Sequence, residues 1–332
     1  VRFTVLSSGS KGNALLVQSG ETSVLIEAGV GPRVLKQRME MASLSTLRPN
    51  ALIVTHGHYD HARRATEVAE ALNIPTYASA GCAAERPMQG ATPFFAHREF
   101  NAGTTTRLGS LTMTAFATPH DAPGSIGVIL EDGDARVGVV TDLGCVTHAV
   151  VAALRDCNLL YAEFNHDVPM LNQGPYPLSL KRRCLSNVGH LSNEQGATLV
   201  ARSRTPELRT LVLAHLSESN NTPALALAAA RGVVDGAGVA VHVAPQRLAL
   251  GPLRVERPAR PRPAPQALAF PALVVPPTSA ALLAPPSATV LPRPALPPLA
   301  AHAAPVYAVA RVGARKKLGP GPSAQLSLFG AE

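Results

Sequence analysis

Over residues 1–251, short apolar runs broken by Gly-, Ser- and Asp-containing turns alternate with stretches of helical period, and this rhythm predicts one large α/β domain. Strand patterns fall at 2–6, 14–18, 23–26, 51–54, 76–78, 111–117, 125–131, 136–141, 159–163, 210–214 and 239–244. Helical patterns fall at 34–41, 65–72, 149–155, 193–202 and 224–230. Two helix starts carry local signals. Ser192 with Gln195 fits a capping box, and Thr222 before Pro223 places an N-cap ahead of a first-turn proline. The run Ala51, Leu52, Ile53, Val54 is apolar without alternation, the pattern of a fully buried strand.

From Pro252 onward the rhythm stops. Of the 30 prolines in the 332-residue chain, 17 lie there, among Ala, Leu and Arg with no sustained period. Prolines this frequent deny helix and sheet their hydrogen bonds, so 252–324 reads as a disordered linker of polyproline character. That tail also carries +7 of the net +8, which leaves the domain itself close to neutral. A basic tail favours polyanions such as nucleic acid. The cysteines, Cys82, Cys145, Cys157 and Cys184, have no C-x-x-C spacing and read as reduced thiols. The chain opens on a strand-like Arg2-Phe3-Thr4-Val5-Leu6 rather than a secretory pattern, and no apolar run reaches the roughly 18 residues of a membrane span. The expectation is a soluble cytoplasmic protein with no membrane partner.

The chemistry begins directly after the buried strand, at Thr55-His56-Gly57-His58-Tyr59-Asp60-His61. Imidazole and carboxylate together suit Zn and neighbouring divalent ions, and three His with one Asp exceed what one tetrahedral metal with an open position needs. The spacing therefore points to two divalent metal ions, Zn or Mn. Further ligands must come from elsewhere, and three candidates also follow strands: His120, Asp142 and His215.

In this order, behind His-x-His-x-Asp-His, the set resembles the metallo-β-lactamase fold over nearly all of 1–251. The resemblance implies a four-layer αββα sandwich. It implies His56, His58 and His120 on one metal, Asp60, His61 and His215 on the other, and Asp142 bridging. Within the superfamily the chain is similar to the nuclease-like YycJ/WalJ branch, on Ser7-Ser8-Gly9-Ser10-Lys11-Gly12-Asn13, Glu163-Phe164-Asn165-His166-Asp167, Gly189-His190-Leu191-Ser192-Asn193 and Ala214-His215-Leu216-Ser217. Glu27 stands before Ala28-Gly29 where many relatives carry Asp, which keeps a supporting carboxylate one methylene longer. His166 and Asp167 are expected to orient ligands. His190, near a helix N-terminus, matches a His thought to protonate the leaving oxygen in nucleic-acid-cleaving members, and joins Asp60 as the expected catalytic pair. Lys181, Arg182 and Arg183, and Lys11 in its Gly/Ser loop, are candidate contacts to a nucleic-acid backbone.

At the far end, within 325–332, Gln325, Leu326, Ser327, Leu328 and Phe329 resemble the pentapeptide by which bacterial proteins bind the DNA sliding clamp. Such a peptide offers two apolar anchors and a polar Gln on a flexible tether. The sequence thus reads as a two-metal phosphodiesterase acting on DNA, an exonuclease of replication and repair recruited by the clamp. The rival readings are an RNase of the same chemistry, a small-molecule hydrolase of lactonase, thioesterase or β-lactamase type, and a catalytically idle clamp adaptor.

Overall fold

The structure is a computed structural model that describes residues 1–256; the expected linker from 257 and the clamp-like pentapeptide lie outside the described residues. The chain opens with β1 (Arg2–Ser7), β2 (Ala14–Ser19) and β3 (Thr22–Ile26), then α1 (Pro32–Met41) and β4 (Ala51–Ile53). There follow α2 (Tyr59–Ala62), α3 (Ala65–Leu72), β5 (Thr76–Ala78), α4 (Ala80–Met88) and β6 (Arg98–Glu99). The second half holds β7 (Thr105–Leu108), β8 (Leu111–Ala117), β9 (Ile126–Glu131), β10 (Arg136–Val140), α5 (His148–Ala153) and β11 (Leu159–Glu163). It continues through α6 (Val168–Gln173), α7 (Leu178–Cys184), α8 (Asn193–Ser203), β12 (Thr210–Ala214), α9 (Pro223–Val234), β13 (Ala240–Val243) and β14 (Leu250–Arg254).

The strands form two seven-stranded mixed sheets, β14-β1-β2-β3-β4-β5-β6 and β13-β12-β11-β10-β9-β8-β7. Each sheet is antiparallel where hairpins join its strands and parallel where helices cross over, as in β3-β4-β5 and β10-β11-β12. Side chains on a strand alternate between faces, and here both faces are apolar. On β2, Leu15 and Val17 enter the cluster between the sheets, while Ala14 and Leu16 pack outward. On β3, Val24 and Ile26 point inward and Leu25 outward.

The inter-sheet cluster runs from Phe3 and Val5 to Tyr161 and Val212. The outer face of the first sheet is covered by Leu35 and Met39 of α1 and Val68 of α3. That of the second is covered by Val150 of α5, Leu199 of α8 and Ala226 of α9. This is the four-layer αββα sandwich expected from the sequence.

One boundary moves. The onset of prolines had placed the end of the domain at Gly251, but β14 runs to Arg254, pairs with β1, and is followed by a buried Val255. A proline can stand in this strand because β14 is the sheet's edge, where a backbone N–H can be dispensed with.

Candidate metal centre

The site lies where strands of both sheets end. The loop after β4 carries His56 and His58, and the short α2 carries Asp60 and His61. His120 follows β8, Asp142 follows β10 and His215 follows β12. Glu27, Asp142 and His215 each leave their strand with a left-handed backbone, at φ of 67°, 56° and 54°. Non-glycine residues seldom adopt this conformation, and here it recurs at residues that converge on one point.

The convergence is close. Ligating atoms of His56, His58 and His120 lie within 4.8 Å of one another, as do those of Asp60, His61 and His215. The two trios match the grouping that the resemblance implies, and Glu27, His56 and His61, and Asp142, Glu163, His190 and His215, form two further groups of the same kind. Between them Asp142 Oδ2 lies 3.1 Å from His61 Nε2, and its Oδ1 lies 3.9 Å from His120 Nε2. The carboxylate thus faces both groups.

Hydrogen bonds on the outer ring nitrogens of His56, His120 and His215 fix which nitrogen of each faces inward. His120 Nδ1 is 3.0 Å from the carbonyl of Gly189, which can only accept, so that nitrogen carries the proton and Nε2 is bare. Thr55 Oγ1 spends its proton on Glu27 and so accepts from His56 Nδ1 at 3.0 Å. His58 Nε2 lies 3.3 Å from Asp121 Oδ1, His61 Nδ1 3.3 Å from Glu27 Oε1, and His215 Nδ1 3.1 Å from Glu163 Oε1.

Around His56, His58 and His120 the inward nitrogens lie close together. His120 Nε2 and His58 Nδ1 are 3.0 Å apart, while buried His56 Nε2 has no hydrogen-bond partner. Imidazole nitrogens and carboxylate oxygens converging in groups of three are a donor set that fits two divalent ions.

The electrostatics agree. Burial, reinforced by neighbouring His61, holds His56 well below its usual pKa, and burial with His120 brings His58 down to about 4. Both are therefore neutral ligands at ordinary pH. Burial would raise Asp60 and Asp142, but adjacent His61 and His215 carry both well below the usual carboxylate range. Burial would lower His61 and His215, but Asp142 and Asp60 push both well above the usual value.

Several supporting residues were not singled out from sequence. Glu163 is fully buried; its Oε1 takes His190 Nδ1 at 2.8 Å and His215 Nδ1, and its Oε2 accepts the backbone N–H groups of Leu143 and Leu191. Asn13 Nδ2 reaches Asp60 Oδ2 at 3.2 Å and His61 Nε2 at 3.0 Å. Ser8 Oγ accepts the backbone N–H of His215, and Asn165 Nδ2 donates to its carbonyl. Gly29 lets the loops meet: a Cβ there would stand 1.8 Å from the carbonyl of Asp60. Each lies in or beside a stretch quoted for the family resemblance, which was the available signal.

Other expectations shift. Asp167 does not support a ligand; it caps α6 by accepting the N–H of Met170. His166 hydrogen-bonds Asn165 and no member of the cluster. Of the expected backbone contacts, Arg183 is paired with Asp121, Lys181 donates to the carbonyl of Asn172, and Lys11 lies 2.7 Å from Glu218, whereas Arg182 is exposed. The basic run is thus partly committed within the protein. His190 does join the site: its Nδ1 is 3.5 Å from Asp142 Oδ1, and although burial opposes it, Glu163 raises its pKa.

A two-sheet sandwich with convergent His and Asp at its strand ends defines a metallo-β-lactamase-fold protein, and a beta-lactamase superfamily domain model matches residues 22–216. The chain belongs to this family. It is 32% identical over 242 residues to an exodeoxyribonuclease, YycJ, of Bacillus anthracis, covering 73% of this chain and 92% of that protein. Among solved structures it resembles the metallo-beta-lactamase fold protein YhfI of Bacillus subtilis, with a TM-score of 0.57, 16% identity and coverage of 75% and 99% of the two chains. It also resembles Zn(2+)-bound PqqB of Methylobacterium extorquens, with a TM-score of 0.53, 18% identity and coverage of 76% and 100%. Among the described residues no helix is long and apolar enough to cross a membrane.

Proposed function

We propose that this chain is a two-metal phosphodiesterase that acts on DNA as an exonuclease. The observation that carries this reading is the pairing of His190 with Glu163 against the Asp142 face of the centre, in a chain 32% identical to an exodeoxyribonuclease. In this reading His56, His58 and His120 would hold one ion and Asp60, His61 and His215 the other, with the Asp142 carboxylate between the two groups. Two bound divalent ions supply an activated water near neutral pH and stabilise charge on the phosphate oxygens.

The chain's own residues do the rest. Thr55, Gly189 O and Glu163 fix the tautomers of His56, His120 and His215, and Glu27 and Asp121 lie beside His61 and His58. Glu163 holds the Nδ1 proton of His190, so the second proton sits on Nε2, from which it passes to the departing sugar oxygen. Arg182 is exposed and, unlike Lys181 and Arg183, is not engaged by a neighbouring residue, so it is the member of the basic run left to meet the DNA backbone.

Recruitment by the sliding clamp through Gln325, Leu326, Ser327, Leu328 and Phe329 completes the proposal; its support is the sequence match.

The deciding assay uses end-labelled single-stranded DNA, duplex DNA and RNA with Mn, Zn or Mg. Metal-dependent loss of mononucleotides from DNA ends is the expected result. Faster cleavage of RNA would reverse the choice of substrate, and intact polynucleotides beside an opened lactone or thioester would refute it.

A further inference from the structure

The residue next to His120 faces three groups at once. Asp121 Oδ1 lies 3.3 Å from His58 Nε2 and 3.5 Å from His120 Nε2, and its carboxylate is gripped from outside by Arg183, with Nε to Oδ2 at 2.5 Å and the terminal nitrogen to Oδ1 at 3.0 Å. The same stretch of chain touches this corner at two further points. Val188 O accepts the backbone N–H of Asp121 at 3.1 Å, and Gly189 O accepts from His120 Nδ1. Gly144 leaves the room for this contact, since a Cβ there would lie 2.3 Å from Asn187 and Val188.

From this geometry we propose that Asp121 is a positioning residue for the His56, His58 and His120 group, and that Arg183 holds it in place. The proposal rests on the two-metal reading above. His58 is the member of the trio nearest to solvent on its outer side, and Asp121 sets a carboxylate oxygen 3.3 Å from its Nε2. An acceptor there keeps the proton on Nε2 and aims the bare Nδ1 at the centre, as outer carboxylates do for metal-bound imidazoles. The two-point Arg183 grip fixes the plane of that carboxylate, which a single contact would leave free to rotate. Arg183 therefore acts on the metal centre through Asp121, and the basic run on α7 is divided between a brace and an open face.

The test compares wild type, Asp121→Ala, Asp121→Asn, Arg183→Ala and the exchanged pair Asp121→Arg with Arg183→Asp. Zn affinity is read by competition with a chromophoric chelator, stoichiometry by elemental analysis, and folding by urea denaturation. Asp121→Ala should weaken one of two Zn equivalents by about 10- to 100-fold and leave the other near wild type. Asp121→Asn, which can still accept from His58, should recover part of that loss, and Arg183→Ala should show a smaller loss of the same equivalent.

The exchanged pair separates positioning from a salt bridge alone. It restores opposite charges but sets a cation against His58, so folding stability should return while Zn affinity does not. Recovery of affinity in the exchanged pair, native affinity in Asp121→Ala, or equal loss of both equivalents would each overturn the proposal. Wild-type protein that takes up no metal would instead refute the two-metal reading itself.

Discussion

Replacement of Glu163 by Gln should damage the protein more than a neutral isostere usually does, and the size of the effect follows from counting donors. Glu163 is fully buried and receives four of them: His190 Nδ1, His215 Nδ1, and the N–H groups of Leu143 and Leu191. Each carboxylate oxygen serves two. A Gln side chain keeps one accepting oxygen and sets an NH2 group against the other two donors, whichever way the amide turns. Two buried donors then lose their acceptor, at about 1–3 kcal/mol each, so a loss of roughly 2–6 kcal/mol is expected. The negative charge matters too, because burial opposes ionisation here and yet His190 brings the carboxyl down to about 2. Urea denaturation of chelator-treated protein measures the stability term without any metal contribution. DNA cleavage by the metal-loaded variant should fall by about 10²–10⁴, since His190 loses the group that orients and charges it. A stability change under about 1 kcal/mol with undiminished turnover would show that Glu163 is not the anchor of His190 and His215.

Asp60→Ala should abolish metal-dependent cleavage while the circular dichroism of the fold persists; undiminished activity would exclude the two-metal mechanism. Metal uptake should be linked to protons, because His61 and His215 are held well above their usual pKa by Asp142 and Asp60 in the metal-free protein. Lower pH fills these sites with protons that metal must displace, so affinity should fall as pH falls, and calorimetric heats should vary with buffer ionisation enthalpy. Buffer-independent heats would contradict this. Gly29→Ala drives a methyl group into the carbonyl of Asp60 and should unfold the loop or lower stability by more than about 3 kcal/mol, read by thermal denaturation. Deleting 325–332 should remove capture by a bacterial sliding clamp in a pull-down and leave cleavage of free DNA unchanged; retained capture would refute the tail assignment.

Much of this architecture was legible in local pattern. Strands such as 51–54 and 111–117 announce themselves because side-chain alternation and apolar continuity are properties of adjacent residues. The crowding of His56, His58, Asp60 and His61 after one of them already implied more than one metal. Elements that tertiary contacts support were harder to see. The edge strand β14 carries a Gly and a Pro that propensity alone would exclude, and α4 holds an internal Pro87. They exist because β1 offers an open edge and because Cys82 and Ala83 pack onto the first sheet's outer cluster.

The sequence by itself determined the fold class, the loop that carries the chemistry and the ligand types at each strand end, since these depend on residue identity and short-range period. Only the tertiary structure decided how those side chains are oriented and which groups support them. Glu163 meets His190 and His215 across 27 and 52 residues of chain, and Arg183 reaches Asp121 across 62. No local period encodes such contacts. The same long-range packing turned Asp167 into a helix cap and Arg183 into a brace, because a charged side chain pairs with what the fold brings to it rather than with its neighbours in sequence.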